Sequence, residues 1–182
     1  MTDLLILGGG AAGLMAAGAA CARGLRVTVV EHNPKGPGQK LLITGKGRCN
    51  VTSNSDVRDF LPYVRRNGRF LYSSLYAFPP SAGMELFESL GVPLKTERGR
   101  RVFPQSDRAA AILAALRSYA GDAQFVRGSA QKLLLEDGVC KGAVTGRGET
   151  LRAAATLVAT GGISYPATGS DGSGYALARQ AG

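Results

Sequence analysis

Apolar residues gather in short runs near the start of the chain, and those runs set its plan. Leu4-Leu5-Ile6-Leu7 is an unbroken apolar run that stops at glycine, the pattern of a strand buried on both faces of a parallel sheet. An Ala-rich stretch follows up to Gly24, then Val27-Thr28-Val29-Val30 ending at Glu31. Strand, small-residue helix and strand make a βαβ unit. Segments 56–66 and 68–78 read as irregular helices. Pro79-Pro80-Ser81 predicts a helix start with Ser81 as N-cap and Gly91 as the stop. Short strands are expected at 93–96 and 101–103, and Ser106 or Asp107 should cap a helix reaching about Tyr119. A third parallel strand is expected at Gln124–Arg127.

The texture then changes. Runs at 131–136, 139–145 and 150–154 are separated by Asp137-Gly138 and Gly146-Arg147-Gly148, which predicts an antiparallel meander. A separate buried strand is expected at Thr156–Thr160, ending at Gly161-Gly162. Gly169 to Gly174 should open a last helix, whose Tyr175, Ala176, Leu177 and Ala178 are expected to present apolar surface with nothing later in sequence to cover it. The fold class is α/β: a doubly wound, Rossmann-like domain with a three-stranded antiparallel meander, an organisation associated with FAD-binding domains more than with plain NAD dehydrogenases.

The turn after the first apolar run carries the clearest chemistry. Gly8, Gly10 and Gly13 fit G-x-G-x-x-G. Gly8 permits the tight turn, Gly10 lets the backbone approach a pyrophosphate, and Gly13 lets the helix pack close to the strand. The helix N-terminus then offers free N–H groups and a positive dipole end to phosphate. Glu31 ends the second strand, where an acid takes ribose hydroxyls and disfavours a 2′-phosphate. A lone glycine motif is weak, but strand, helix, strand and acid all stand in order here.

Composition narrows the setting. The 182 residues suffice for one domain with a core, and no apolar run approaches a membrane span. The start lacks a basic n-region and a cleavage site, so no secretory signal is read and a cytoplasmic location is expected. Cys21, Cys49 and Cys140 form neither a disulfide framework nor a C-x-x-C pair. The net charge of +9 is spread along the chain without a recognised nucleic-acid motif, which favours a solvated basic surface over a nucleic-acid partner. No membrane partner is expected, and no metal-ligand cluster is visible.

Other residues invite chemistry and are weighed against it. Thr44-Gly45-Lys46-Gly47-Arg48-Cys49-Asn50 looks like a phosphate loop but fails Walker spacing, having Lys40 where glycine belongs and Gly47 after Lys46. Its backbone N–H groups could still hold a phosphate or a flavin edge. Lys46 and Arg48 would lower the Cys49 pKa in a redox thiol, yet no resolving partner is near, so packing beside a ring is favoured. Cys21 and Cys140 read as buried and inert. His32, the single histidine, lacks triad partners. Tyr165 could donate to a substrate carbonyl, although an aromatic beside proline is more often packing.

Four segments together carry a resemblance. They are Gly8–Gly13 with Glu31; Lys40-Leu41-Leu42-Ile43-Thr44-Gly45-Lys46-Gly47-Arg48-Cys49-Asn50-Val51-Thr52; Arg101-Val102-Phe103-Pro104-Gln105-Ser106; and Ala159-Thr160-Gly161-Gly162-Ile163-Ser164-Tyr165-Pro166 with Thr168-Gly169-Ser170. The series resembles the aminoacetone-oxidase-like family of bacterial FAD-binding oxidoreductases over the whole chain. The resemblance implies FAD as cofactor. It implies contacts from Gly8, Gly10, Ala11, Ala12, Gly13 and Glu31 to the ADP half, and from Lys40 and Thr160 to the cofactor. Gly45, Gly47, Arg48, Cys49 and Asn50 would lie near the isoalloxazine, Gly161 and Gly162 near the pyrophosphate, and Ala130 would meet adenine through its backbone. No catalytic residue is assigned. The implied reaction is two-electron transfer through the flavin on a small-molecule substrate, with NAD(P)H or oxygen as redox partner. Family members are longer, so a substrate domain and a final FAD-domain strand are expected to be missing from these residues. An NAD-dependent dehydrogenase and a non-catalytic dinucleotide-binding fragment remain as alternatives.

Overall fold

The computed structural model describes every residue from Met1 to Gly182. In chain order the strands are β1 (Thr2–Leu7), β2 (Val27–Glu31), β3 (Thr52–Ser53), β4 (Leu94–Glu97), β5 (Arg101–Pro104), β6 (Gln124–Arg127), β7 (Ala130–Glu136), β8 (Val139–Thr145) and β9 (Thr150–Val158). The helices are α1 (Ala11–Cys21), α2 (Gln39–Ile43), α3 (Val57–Phe60), α4 (Tyr72–Ala77), α5 (Pro80–Ser89), α6 (Ala109–Tyr119) and α7 (Ser173–Gln180). They divide into two compact units, one of Met1–Leu41 with Leu116–Gly182 and one of Leu42–Ala115.

The first unit is a six-stranded sheet in the order β6-β2-β1-β9-β8-β7. β1 lies inside it, parallel to β2 through Leu4↔Val27 to Leu7↔Val30 and parallel to β9 through Thr2↔Ala153 to Leu7↔Val158. β6 adds in parallel outside β2. The apolar runs behave as strands buried on both faces require: Leu5, Ile6, Leu7 and Val29 are at most 1% exposed. Alternation splits them between the faces. Leu5 and Leu7 join Val30, Leu133, Ala143, Ala153 and Leu177 in one cluster. Ile6 faces α1, where its Cγ2 lies 3.3 Å from the place a Cβ on Gly13 would occupy. The same helix meets the end of α6 at Gly18, where any Cβ would stand 2.1 Å from the Tyr119 ring.

The meander is continuous with the Rossmann sheet rather than set apart from it. Sequence reading separates strands at 150–154 and 156–160, but the chain forms one nine-residue strand, β9. Its first part pairs antiparallel with β8 (Ala143↔Leu151), and its second part pairs parallel with β1 (Leu5↔Thr156). Ala153-Ala154-Ala155 carries little strand propensity, so nothing local announces that the backbone stays extended while it changes partners. The Asp137-Gly138 turn is as expected, with both residues at positive φ (50° and 75°), the type I′ geometry.

The second unit holds a three-stranded antiparallel sheet, β3-β5-β4, with α3, α4 and α5. Val102 and Phe103 of β5 are buried. Here the expected helix starts need correction. α5 begins at Pro80 with Pro79 as N-cap, so Ser81 lies within its first turn; the fixed φ of proline suits that position. Asp107 does not cap α6, because its carboxylate is taken by Lys95 and Arg48 and its backbone is left-handed.

The last helix also differs from expectation. Leu177 of α7 is 1% exposed and belongs to the main cluster, and the Gln180 side chain accepts the Leu133 N–H at 2.8 Å. The helix is amphipathic: Tyr175, Ala176 and Ala178 face outward and Leu177 inward. Covering one apolar residue does not need further sequence, because β7 and β9 already supply the partner surface. Truncating Leu177 to alanine is therefore expected to cost about 2–5 kcal/mol, read from denaturant unfolding; a loss below about 1 kcal/mol would be the size of an ordinary surface change and would detach α7 from the core.

Candidate functional site

The carboxyl ends of β1, β2 and β9 lie side by side, since Leu7 pairs with both Val30 and Val158. Open α/β sheets bind ligands at this end. β1 passes into Gly8, whose φ of 108° is closed to most L-residues and whose absent Cβ would stand 2.5 Å from the Ala159 carbonyl oxygen. At Gly13 a Cβ would approach the Gly8 carbonyl oxygen to 1.9 Å, so α1 sits directly on the end of its strand. Gly10 is different. It is the N-cap of α1, no side chain caps the helix, and a Cβ there would meet nothing within 4 Å. The N–H groups of the first helical turn have no acceptor within the helix, and open space lies before them. Ala11 and Ala12 are exposed at this same turn.

Glu31 is 13% exposed in its side chain, and both its oxygens are engaged. Oε2 accepts the Gly9 N–H at 2.8 Å and Oε1 accepts the Asn33 N–H at 2.7 Å. A carboxylate oxygen has more than one lone pair, so ribose hydroxyls can still be accepted. Sequence reading missed Gly9. A Cβ there would meet Pro37 at 2.8 Å and Glu31 Oε2 at 3.0 Å, and the Gly38 N–H donates to the Gly9 carbonyl at 2.9 Å. The glycine standing at the motif's free position, between Gly8 and Gly10, was the available signal. Ala130 opens β7 two residues after Gly128, whose N–H donates to the Glu31 carbonyl at 3.0 Å.

The third strand end brings Thr160, Gly161 and Gly162. The Thr160 hydroxyl is buried without a hydrogen-bond partner. Gly161 has φ 79°, and a Cβ on it would stand 2.8 Å from the Ser170 hydroxyl. Lys40 reaches this loop, donating to the Ser164 carbonyl at 2.6 Å and to Ser170 Oγ at 2.5 Å. Tyr165 and Ile163 are each 69% exposed on it. The His32 ring packs by Gly169, 3.2 Å from where a Cβ would be. An uncapped helix end that opens onto free space at Gly10, beside the Glu31 carboxylate, suits the phosphates and ribose of an ADP-bearing cofactor.

The turn Gly45–Asn50 belongs to the second unit. Gly45, Lys46, Gly47 and Cys49 all have positive φ, and a Cβ on Gly45 would crowd the Asn50 nitrogen at 2.9 Å and Phe103 at 3.0 Å. Asn50 is exposed. Arg48 is not free: its guanidinium pairs with Glu97 (2.8 Å) and Asp107 (3.3 Å) and lies 4.0 Å from the Phe103 ring centroid. Lys95 bonds the other Asp107 oxygen at 2.5 Å and holds its carboxyl below the usual range, with Arg48 adding to the effect. The expected lowering of the Cys49 pKa is overturned. Cys49 is 2% exposed, and burial pushes its thiol up, against a smaller opposing hydrogen bond with Thr44. Arg48, spent on carboxylates, does not activate it. Cys21 and Cys140, expected to be buried, are half-buried.

Fold and site together define a Rossmann-type dinucleotide-binding domain of the flavoprotein kind. Residues 2–182 match the HI0933-like protein Rossmann domain family, and the chain belongs to it. Its cofactor is FAD, and the family is one of FAD-dependent oxidoreductases. The chain is 35% identical to a 3-dehydro-bile acid delta(4,6)-reductase of Clostridium scindens, covering all of this chain and 44% of that protein. It is 31% identical to a ribosomal RNA dihydrouridine synthase of Escherichia coli, covering 99% of this chain and 44% of that protein. It therefore spans less than half the length of these curated relatives. Among solved structures, the 3-ketosteroid-delta4-(5alpha)-dehydrogenase of Rhodococcus jostii superposes with a TM-score of 0.69 at 17% identity, over 90% of this chain and 46% of that one. The L-proline dehydrogenase of P. horikoshii gives 0.54 at 16% identity, over 99% and 55%. At such identities the likeness is one of fold. No helix is long and apolar enough to cross a membrane.

Two outcomes follow from this geometry. Gly10→Val should leave the thermal midpoint nearly unchanged, since its side chain enters open space, while abolishing FAD binding if the backbone there approaches the pyrophosphate as the motif requires. Gly13→Ala should instead unfold the domain or cost at least about 3 kcal/mol, because backbone opposes the new methyl; a Gly13→Ala protein as stable as wild type would refute the seat of α1. For the thiols, Cys21 and Cys140 should react with a disulfide reagent in the folded protein well before Cys49. Labelling of Cys49 first would return it to the redox role.

Proposed function

We propose that these residues form the FAD-holding part of a longer flavoenzyme that transfers two electrons between a small-molecule substrate and a redox partner, a reduced nicotinamide or oxygen. The reading rests above all on one observation: the uncapped helix end at Gly10 opens onto free space at strand ends that also carry Glu31. The first-turn N–H groups of α1 would receive the pyrophosphate, Glu31 the ribose, and the backbone of Thr160, Gly161 and Gly162 a further polar group of the cofactor. Bound FAD supplies two-electron chemistry at its isoalloxazine ring. The chain's own part is to bind it, fix its orientation and keep water from its phosphates.

In the turn Gly45–Asn50 the Arg48 side chain is already committed and the Cys49 thiol is buried, which leaves backbone groups and the exposed Asn50 as what that turn can offer a ligand. A substrate-bearing segment outside these residues would complete the flavin pocket, a reading supported by the 44% coverage of both curated relatives. The reductase named among those relatives favours reduction of the substrate over its oxidation.

The test is an absorbance spectrum of purified protein with a titration of the apoprotein. The spectrum should show flavin bands from protein-bound FAD, and a colourless protein that binds NAD instead would overturn the reading. Glu31→Gln should weaken FAD binding by about 1–3 kcal/mol, the scale of a hydrogen bond to a charged group. An unchanged dissociation constant would confine Glu31 to stapling Gly9 and Asn33.

A further inference from the structure

Lys40 stands near the start of α2, yet its ammonium bonds residues 124 and 130 positions further along the chain, at Ser164 and Ser170. Both bonds land on the loop that follows β9. Ser170 is only 6% exposed, so the hydroxyl that meets the ammonium is itself buried, which strengthens the bond over one made in open water. The same hydroxyl stands against Gly161, 2.8 Å from where a Cβ would be. The latch thus reaches the residue that begins the loop as well as its far end.

The loop is one that needs holding. Of the twelve residues from Gly161 to Gly172, Gly161, Tyr165, Gly169 and Gly172 have positive φ. Tyr165, at φ 53°, pays a steric penalty that glycine avoids, and it precedes Pro166, which further disfavours a helical or left-handed backbone. The Thr168 N–H and hydroxyl both donate to the Tyr165 carbonyl, at 2.9 and 2.7 Å. Strained backbone of this kind persists only when its surroundings over-determine it. Thr168 fixes it from within, and Lys40 fixes it from outside at the neighbouring Ser164 carbonyl.

We propose that Lys40 is a positioning residue: its ammonium locks the Gly161–Gly172 loop so that the Gly161-Gly162 backbone and the exposed Tyr165 ring are presented to FAD, with no contact of its own to the cofactor. Two of its three N–H donors are already spent on the loop. The presentation part rests on FAD binding at these strand ends, while the locking part stands on this chain's own contacts.

The experiment compares wild type, Lys40→Met, Lys40→Arg, Ser170→Ala and the Lys40→Met/Ser170→Ala double variant. Amide hydrogen exchange is followed in the cofactor-free protein, and FAD affinity by flavin fluorescence titration. In Lys40→Met, exchange across 161–172 should rise roughly ten-fold with β1 and β2 unchanged, and FAD should bind roughly ten-fold more weakly. Lys40→Arg should restore most of both. Ser170→Ala should loosen the loop on its own and add little in the Lys40→Met background, as partners in one contact do; it carries the test if Lys40→Met does not fold. Unchanged loop exchange in Lys40→Met overturns the proposal, and a fall in affinity without it would put the ammonium directly on the cofactor. Full additivity of the two substitutions also overturns it. A wild-type protein that binds no FAD defeats the presentation part, and the exchange data still decide the lock.

Discussion

The seat of α1 on the end of β1 is the contact on which the rest of the first unit depends. With no Cβ at Gly13, the helix comes down onto the Gly8 carbonyl; a methyl would stand at 1.9 Å. Two consequences follow at once. The helix axis points its uncapped end past Gly10 into open space, and Gly9 is brought within reach of Glu31 at the end of the neighbouring strand. The carboxylate then spans the turn and the start of the following loop through Gly9 and Asn33. One close backbone approach thereby sets an uncapped helix end and a carboxylate within the same few residues, the pair proposed above to take phosphate and ribose.

β9 supplies the second constraint. A single strand that pairs with the meander at one end and with β1 at the other makes the two textures one sheet. It delivers Ala159 against Gly8 and leaves the Thr160 hydroxyl buried without a partner. The residues after it depart in left-handed turns that Lys40 and Thr168 hold. The second unit is organised around a different interaction, the Arg48 guanidinium set between Glu97, Asp107 and the Phe103 ring. That arrangement explains why a basic residue beside Cys49 does not make its thiol acidic.

Much of the fold was legible because its signals are local. An unbroken apolar run marked β1, a Val-rich run marked β2, Asp137-Gly138 marked its hairpin, and the glycine spacing marked the turn before α1. What was not legible depends on partners distant in sequence. Nothing within 150–158 says that β9 continues through three alanines, because its pairing with β1 is what keeps it extended. Nothing near Leu177 says that it is covered, because its cover comes from β7 and β9. The same holds for the site. Gly8, Gly10, Gly13 and Glu31 follow from a motif with a physical reason for each position. The Glu31 staple to Gly9, the burial of Cys49 and the Lys40 bonds to Ser164 and Ser170 join positions from 22 to 130 residues apart or rest on tertiary packing.

The central claim is that the carboxyl ends of β1, β2 and β9 form the seat of the ADP half of FAD. Backbone amide chemical shifts followed by NMR during titration of the protein with ADP test it most directly. The account expects the largest shifts at Gly9 to Gly13, Glu31 to Asn33 and Thr160 to Gly162, with little change at the opposite end of the sheet around Leu25, Arg26 and Gln124. Shifts confined to that opposite end, where Met1, Cys21, Arg26, Asp122 and Gln124 line a cleft of about 430 Å³, would contradict it.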